Sequence, residues 1–599
     1  QTSSSRTLFD VTDEDVLEAL TGDAWLLPEL ELARASRATL ANAPQTRRVL
    51  AQTESLLADL EDMPQTTYSA YRRFREQGER SRYEAAYFLK RARPSAAALR
   101  LFLGQTELRA AVQDYLWSIC EESTWVLPAH EQHIIDLFAA ETGYLLAESL
   151  LLLGEMLAPE VRQRVRAEVE RRIFEPYLRF FHLHNWYEGT SNWNGVCNSA
   201  VAATFLLLEP EVARTQRALA IALHGLRAFI TTAFADDGSS SEGVAYWHYG
   251  LFNFVALAEM LYARSGGRIH LLAGEKLRLI AAFPAQVQLS AACFASFADC
   301  DERVGFHPGI LTRLARRSGE LTLLNLLTEQ GEPDNNWRLP MMLRDLLWWD
   351  GSVPASSQLA HALLPAGALA RLVGDTSTGT PLVLCLKGGH NAEEHNHNDI
   401  GSFILHSGGE NLLTDPGRGL YSRAYFGPQR YENIFANSYG HSVPRIDGHL
   451  QGTGHAFKGV LHAITGGDDG QSIALDFAAA YPSEELTIAR RELRLDPRGP
   501  AWLRDHFRFS QGSHQVEEAF VTWLDCTLDG PTATIHGQRH SLRLTLEQPA
   551  GLHFELAQLT AESQANHKPQ VLKRLTFTLA AAPEAEVSLR MELLPTSRV

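Results

Sequence analysis

From about residue 10 to residue 370 the apolar positions recur at helical spacing. In Gln132–Leu157, for instance, Ile134, Leu137, Phe138, Leu145 and Leu146 fall near a three-to-four period with Asp136, Glu141 and Glu148 between them. Val161–Phe174 repeats the pattern with alternating charges. No fixed-period sequence repeat accompanies it, so the pattern predicts helical hairpins stacked around a ring or solenoid. Beyond about residue 375 the period changes to two. Strands are predicted at 382–386, 402–406, 486–495, 502–509, 542–546, 572–579 and 587–593. Helices followed by strands mean segregated domains, not a doubly wound α/β sheet. The expected division is a helical domain over 1–370 and an antiparallel β domain over 371–599, joined where Pro365, Gly367, Gly374 and Pro381 punctuate the chain.

One run tests a membrane reading. Leu279–Ala298 is twenty residues without a formal charge, long enough to span a bilayer. Pro284, Gln286, Gln288, Ser290 and Ser296 interrupt it, and a helix buried in the helical domain is the expectation. Gln1–Arg6 has no apolar stretch of the signal-peptide kind, so a signal peptide is expected to be absent or already removed.

At 599 residues the chain exceeds one hydrophobic core, and 45% apolar with 21% charged residues is ordinary globular composition. Lys plus Arg number 54 against 71 Asp plus Glu, a net charge of −17, which argues against nucleic acid or an anionic membrane as the partner. It leaves an anionic sugar open, because the local field of a cleft decides that. Cys120, Cys197, Cys293, Cys300, Cys385 and Cys526 are scattered without a CxxC pair and read as buried small hydrophobes.

Three clusters carry chemistry. The first, 185–198, gathers Trp186, Tyr187, Asn192, Trp193, Asn194 and Asn198 between two helical segments. Aromatic faces pack on pyranose rings and amides hydrogen-bond in fixed geometry; the alternative is a capped helix start with its Trp residues in the core. The second runs from Asp236 through Glu242 to Tyr246-Trp247-His248-Tyr249-Gly250, ahead of an apolar helix from Leu251. Tyr246 and Tyr249 share a face, and the alternative is again a core aromatic stripe. The third is the most specific: 390–399 reads His-Asn-Ala-Glu-Glu-His-Asn-His-Asn-Asp, followed by Asp415-Pro416-Gly417 and His441-Ser442. His397, Asp415 and His441 suit a zinc-like divalent ion, and an extended segment would turn His395 and His397 to one side.

On these residues the chain resembles the heparinase II/III-like polysaccharide lyases. The similarity is carried by Asn192-Trp193-Asn194-Gly195-Val196-Cys197-Asn198, by Asp237-Gly238-Ser239 through Glu242-Gly243 to Gly250, and by His395-x-His397-x-Asp399, Asp415-Pro416-Gly417 and His441-Ser442. It implies an N-terminal (α/α) toroid followed by an antiparallel β-sandwich, and an eliminative cleavage of an anionic uronate-containing polysaccharide. Heparan sulfate or heparin, hyaluronan and chondroitin sulfate are the expected substrates, with alginate as the alternative. A toroid glycoside hydrolase or a noncatalytic carbohydrate-binding protein is the rival from another class.

Carried over residue by residue, the resemblance makes Asn192 the group that neutralises the uronate carboxylate, Tyr246 the general base and acid, and His395 a second base or proton donor. Asn194 and Tyr249 are the alternatives within each cluster, and His248 is a candidate to lower the tyrosine pKa. Trp193, Trp247, Glu242 and Arg418 are expected on the substrate. His397, Asp415 and His441 match the family's metal ligands for one divalent ion, zinc before manganese or calcium, in a structural role. The expected location is periplasmic or secreted, with cytoplasmic as the alternative; no membrane insertion is expected, and the sequence leaves the oligomeric state open.

The chemistry explains the choice of groups. The C5 proton of a uronate is weakly acidic because the adjacent carboxylate resists further negative charge, so neutralising that carboxylate is the main requirement. Each hydrogen-bond donor placed where the charge grows is worth about 3 to 4 kcal/mol. Tyrosine titrates near 10 when unperturbed, so a tyrosine base needs neighbouring positive charge or a hydrogen bond to its phenolate.

Overall fold

The computed structural model describes residues 5–328, 337–355, 359–375, 377 and 380–595. Gln1–Ser4, read above for a signal peptide, lie outside them. The chain divides into two compact units, one of residues 1–234, 246–282 and 305–354, the other of 235–245, 283–304 and 355–599. The second unit therefore begins near 355 and takes in two excursions from the helical half, where the sequence pattern suggested one cut at 370.

In the first unit the period-3.6 pattern gives helices throughout. Leu137–Leu153 is buried on nearly all sides. Its start is fixed by Asp136, whose Oδ1 accepts the Ala139 amide at 2.7 Å while Oδ2 accepts the Leu127 amide at 3.1 Å and faces His130 Nδ1 at 2.9 Å. Leu137–Met156 is apolar and long enough to cross a membrane, and 83% of its most apolar window is buried inside the protein.

Helices Asn192–Leu208 and Gly243–Arg264 approach closely at two glycines. A Cβ on Gly195 would lie 2.4 Å from the Gly250 carbonyl oxygen and 2.6 Å from the Phe229 ring. Gly195→Ala is therefore expected to cost about 1 to 3 kcal/mol through overpacking against backbone that cannot yield. A thermal melt checks this, and a variant melting with the wild type would show that the helices do not meet this closely.

The charge-free run 279–298 is not one helix. The helix Glu275–Gln286 ends there, and a short hairpin pairs Gln288–Ser290 with Cys293–Phe294. The hairpin belongs to the β unit, so its apolar residues are buried against strands and not in a bundle. Arg371 binds this excursion by donating to the carbonyls of Ala285 and Gln288 at 2.7 and 2.8 Å. The other excursion is tied by Asp237, whose Oδ2 accepts the amides of Ala366 and Gly367 at 2.8 and 3.2 Å.

Among the described residues, the β unit holds three larger sheets. A five-stranded antiparallel sheet runs in chain order through Ala362–Leu364, Leu369–Val373, Val383–Lys387, Phe403–Ser407 and Glu410–Leu413. A ten-stranded sheet carries Leu486–Leu495 and Ala501–Phe509 near its middle, and a four-stranded sheet includes His514–Thr522 and Leu572–Ala581. Every strand predicted from the period-two pattern is present, although the first strands of the unit, at 362–364 and 369–373, precede residue 375. Alternate residues such as Leu384, Phe403, Leu475, Leu493, Phe507 and Leu589 meet in one apolar core. Arg491 is buried among them, ion-paired to Asp505 at 2.6 Å. Its Nη1 donates to the carbonyls of Gly401 and Ser442 at 2.7 and 2.8 Å, which pins the chain just after Asp399 and His441.

Candidate active site and metal centre

In the helical unit the first two clusters meet at the glycine crossing. The Cβ position of Gly250 lies 3.3 Å from the Asn192 Cβ, and Tyr246 is one helical turn before Gly250 on the same face. Asn192 and a half-buried Tyr246 thus stand on neighbouring helices.

The structure separates the paired candidates. Asn194 is fully buried, donating to the carbonyls of Gly189 and Gly225 at 3.0 and 2.8 Å and accepting from Asn198 at 2.8 Å; it shapes the turn before the helix and has no group left for a substrate. Tyr249 donates its hydroxyl to Glu141 at 3.0 Å, on a carboxylate that also takes Asn253 at 3.0 Å and Arg338 at 2.8 Å. Burial and the Glu141 charge push this phenol well above its ordinary range.

His248 does not supply the positive charge expected of it. It is buried, its Nε2 accepts the His307 amide at 3.0 Å, and burial, with the charges of His307 and Arg338, holds it well below the usual histidine range, so it is neutral. Trp247 is 1% exposed and donates its indole N–H to the Ile280 carbonyl at 2.8 Å; it is a core residue and cannot meet a sugar. Trp193 is half-buried, with His130 edge-on at 4.7 Å and His133 at 5.0 Å.

In the β unit, donor atoms of His397, Asp399, Asp415 and His441 all lie within 4.8 Å of one another, and all four residues are buried. Asp399 joins the three ligands expected from sequence. The hydrogen bonding shows that these residues fit a cation. His441 Nδ1 faces the Asn437 carbonyl at 2.8 Å, and His397 Nε2 faces a carboxylate oxygen of Asp299 at 2.9 Å. Both partners only accept, so those nitrogens carry the protons. The other two nitrogens, His397 Nδ1 and His441 Nε2, then present lone pairs to each other across 3.2 Å.

Oδ2 of Asp399 and Oδ2 of Asp415 are buried without a hydrogen-bond partner. Burial and the Asp399 charge push Asp415 well above the usual carboxylate range, and burial takes His441 down to about 3. Two facing lone pairs beside two orphaned carboxylate oxygens are costly unless a cation lies among them. Two imidazoles and two carboxylates can hold a divalent metal ion.

The sequence did not reveal Asp299. It lies in the 283–304 excursion, fully buried, and accepts four donors: His395 Nδ1 at 2.8 Å, His397 Nε2 at 2.9 Å, the Tyr425 hydroxyl at 2.6 Å and Arg430 Nη2 at 3.0 Å. Burial would raise its pKa, but the hydrogen bonds from the two histidines and the Arg430 charge prevail and hold it well below the carboxylate range. His395 is not on an extended segment, because its φ is +53°, in the left-handed region. Both rings nevertheless reach one carboxylate. The Arg430 guanidinium donates to the Asn396 carbonyl at 3.0 and 3.1 Å and so clamps the bend between them. A non-glycine residue in that conformation costs of order 1 to 3 kcal/mol and persists only where its surroundings enforce it.

The His395 side chain is 20% exposed and lies beside Tyr421 and Phe426. Burial works against its protonated form, but Asp299 and the Glu242 charge raise it. Glu242 is buried, and burial pushes it up to about 7 against the opposing charge of His395. Arg418 is exposed, 3.6 Å from Asp301 and with its guanidinium 5.0 Å from the Tyr421 ring centre.

Known proteins resemble the chain in one domain's family and in overall fold. Residues 360–589 match the family described as heparinase II/III-like, C-terminal. No curated protein matches the chain by sequence. Among solved structures, the crystal structure of heparinase III is similar with a TM-score of 0.60 at 13% identity, covering 86% of this chain and 76% of that one. Heparan sulfate lyase HepC from Pedobacter heparinus gives 0.55 at 12% identity, covering 98% and 94%. Chondroitin AC lyase from Streptomyces coelicolor A3, solved with chondroitin sulphate, gives 0.56 at 12%, covering 95% and 83%. Helices followed by antiparallel sheets, the order expected of a toroid and β-sandwich lyase, is the order found here. Residues 360–589 thus carry the heparinase II/III-like C-terminal domain, and the chain shares the fold of these solved lyases.

Proposed function

We propose that this protein cleaves uronate-containing glycosaminoglycans by β-elimination, leaving a 4,5-unsaturated uronate at the new non-reducing end. The observation that carries the reading is Asn192 against Gly250, one turn from Tyr246: an amide to hydrogen-bond the uronate carboxylate beside a phenol to move protons.

In the first step Asn192 hydrogen-bonds the carboxylate as its charge grows, which makes the C5 proton removable. Where the C5 proton and the C4 oxygen lie on one ring face, Tyr246 takes the former and returns a proton to the latter as the C4–O bond breaks. Where they lie on opposite faces, His395 is the base and Tyr246 the acid. His395 suits that role because Asp299 holds the Nδ1 proton and leaves Nε2 with its lone pair. Trp193, Arg418 and Glu242 are proposed substrate contacts.

A divalent ion held by His397, Asp399, Asp415 and His441, zinc by the donor set, would supply a fixed charge and a crosslink within the β unit. The residues so held keep the His395 segment in place. A secreted or periplasmic location goes with this reading, since the uncleaved polymer does not cross a membrane unaided.

The hydrolase reading needs two carboxylates flanking the bond. Of the candidates Asp236, Asp237 and Glu242, Asp237 is already committed to Ser239 and to the amides of Ala366 and Gly367. The deciding experiment incubates the protein separately with heparan sulfate, hyaluronan, chondroitin sulfate and alginate and follows the ultraviolet absorbance of the conjugated product. A rise on a glycosaminoglycan is expected. A rise on alginate alone would change the substrate, and new reducing ends without absorbance would mean hydrolysis.

A further inference from the structure

We infer that Asp299 is a positioning residue shared by the metal-holding cluster and by His395, one carboxylate fixing the proton of both rings. The His395 half of this inference rests on the function proposed above; the His397 half does not.

A carboxylate has two oxygens and no proton to give, so any ring nitrogen within 2.9 Å of it must be the donor. Oδ2 faces His395 Nδ1 and Oδ1 faces His397 Nε2. The proton on His395 is therefore kept on Nδ1, which leaves Nε2 as the basic atom. The proton on His397 is kept on Nε2, which leaves Nδ1 as the donor atom turned toward His441. Outer hydrogen bonds of this kind orient metal-binding imidazoles generally. Here the same carboxylate also orients a ring that is not among the four clustered donors. Tyr425 and Arg430 hold Asp299 in turn, with the Arg430 guanidinium 4.3 Å from the Tyr425 ring centre, so the carboxylate cannot swing to favour one ring.

Asp299→Asn exposes this sharing. An amide offers one acceptor and one donor in place of two acceptors. With its oxygen toward His397, its NH2 meets His395 Nδ1, whose proton must then move to Nε2 and occupy the basic atom. Turned the other way, its NH2 meets His397 Nε2, and the proton moves to Nδ1, the atom the metal needs. Either orientation spoils one function.

The expected result for folded Asp299→Asn is one of two losses. The first, on a uronate whose C5 proton faces away from Tyr246, is a fall in kcat of about 100-fold to 10,000-fold with KM within about threefold, the size a general base contributes. The second is a fall in zinc affinity of about 10-fold to 100-fold by chelator competition. A kcat on that uronate and a zinc affinity both within threefold of wild type would overturn the inference.

A measurement on the wild type keeps the test open if the variant does not fold. In the cadmium-113 form, proton–cadmium correlations should show one imidazole bound through Nδ1, coupled to Hε1 alone, and one bound through Nε2, coupled to both ring protons. Two rings bound through Nε2 would mean that Asp299 does not hold His397, and the inference would fall. If wild-type protein yields no unsaturated product, the proposed function fails, while the zinc and cadmium readouts still decide the role of Asp299.

Discussion

Tyr246→Phe is expected to abolish the unsaturated product on every substrate the wild type cleaves, with kcat lower by about 1,000-fold or more and the melting temperature changed by only a few degrees. General acid–base groups contribute roughly 100-fold to 10,000-fold each, and Tyr246 is assigned both transfers on one class of uronate and the acid transfer on the other. Losing one hydroxyl costs about 1 kcal/mol where it was hydrogen-bonded, which is small for a unit of this size. The control is Tyr249→Phe. That hydroxyl is bound to Glu141 beside Arg338, so its loss should show in stability with the chemistry largely kept. His395→Ala sharpens the assignment, because it should silence only the epimer whose C5 proton faces away from Tyr246. Product formation by Tyr246→Phe above a tenth of the wild-type rate would sink the role given to this tyrosine, and equal loss on both epimers in His395→Ala would sink the division of labour.

Much of the fold was legible because the two halves obey different periods. The strand at 501–509 alternates throughout and the one at 486–495 from Ala489 onward, and the helix at 137–153 needed only its Asp136 cap and an apolar run. What pattern could not show was which side of a helix a polar or aromatic residue faces. Positions 246 to 249 each turn by about 100° on a helix of 3.6 residues per turn. Tyr, Trp and His are amphipathic enough to sit on any side, so their sequence spacing could not say that Trp247 and His248 point into the core.

Long-range contacts were hidden for a different reason. Asp299 closes a charge-free run in the helical half, 96 residues before the ring it holds, and nothing local marks it as more than a surface acid. The same is true of the two excursions into the β unit, whose ties run through Asp237, Arg371 and backbone groups. Asp399 stood in plain view beside His397. Its part in the cluster became evident only with its unpartnered oxygen set against that of Asp415.

Removing the metal is expected to lower the melting temperature by about 10 °C, with activity lost in parallel and regained on adding zinc. Among His397, Asp399, Asp415 and His441, two facing lone pairs and two orphaned oxygens are buried together, a cluster that disfavours the folded state without a cation. An ion present at a thousand times its dissociation constant stabilises the folded form by about 4 kcal/mol. Each kcal/mol moves the melting temperature of a unit of roughly 250 residues by about 2 to 4 °C. His441→Ala should reproduce the destabilisation and make it insensitive to chelator, because one of the four donors is then missing. The coupling to activity follows from the chain: His397 is two residues from His395, and the bend between them is clamped through Asn396 by Arg430. Loosening the cluster frees the turn that holds His395 at a left-handed φ, and the ring leaves Asp299. Activity that vanished on chelation with an unchanged melting temperature would instead give the ion a direct part in the chemistry, and the structural role would have to be abandoned.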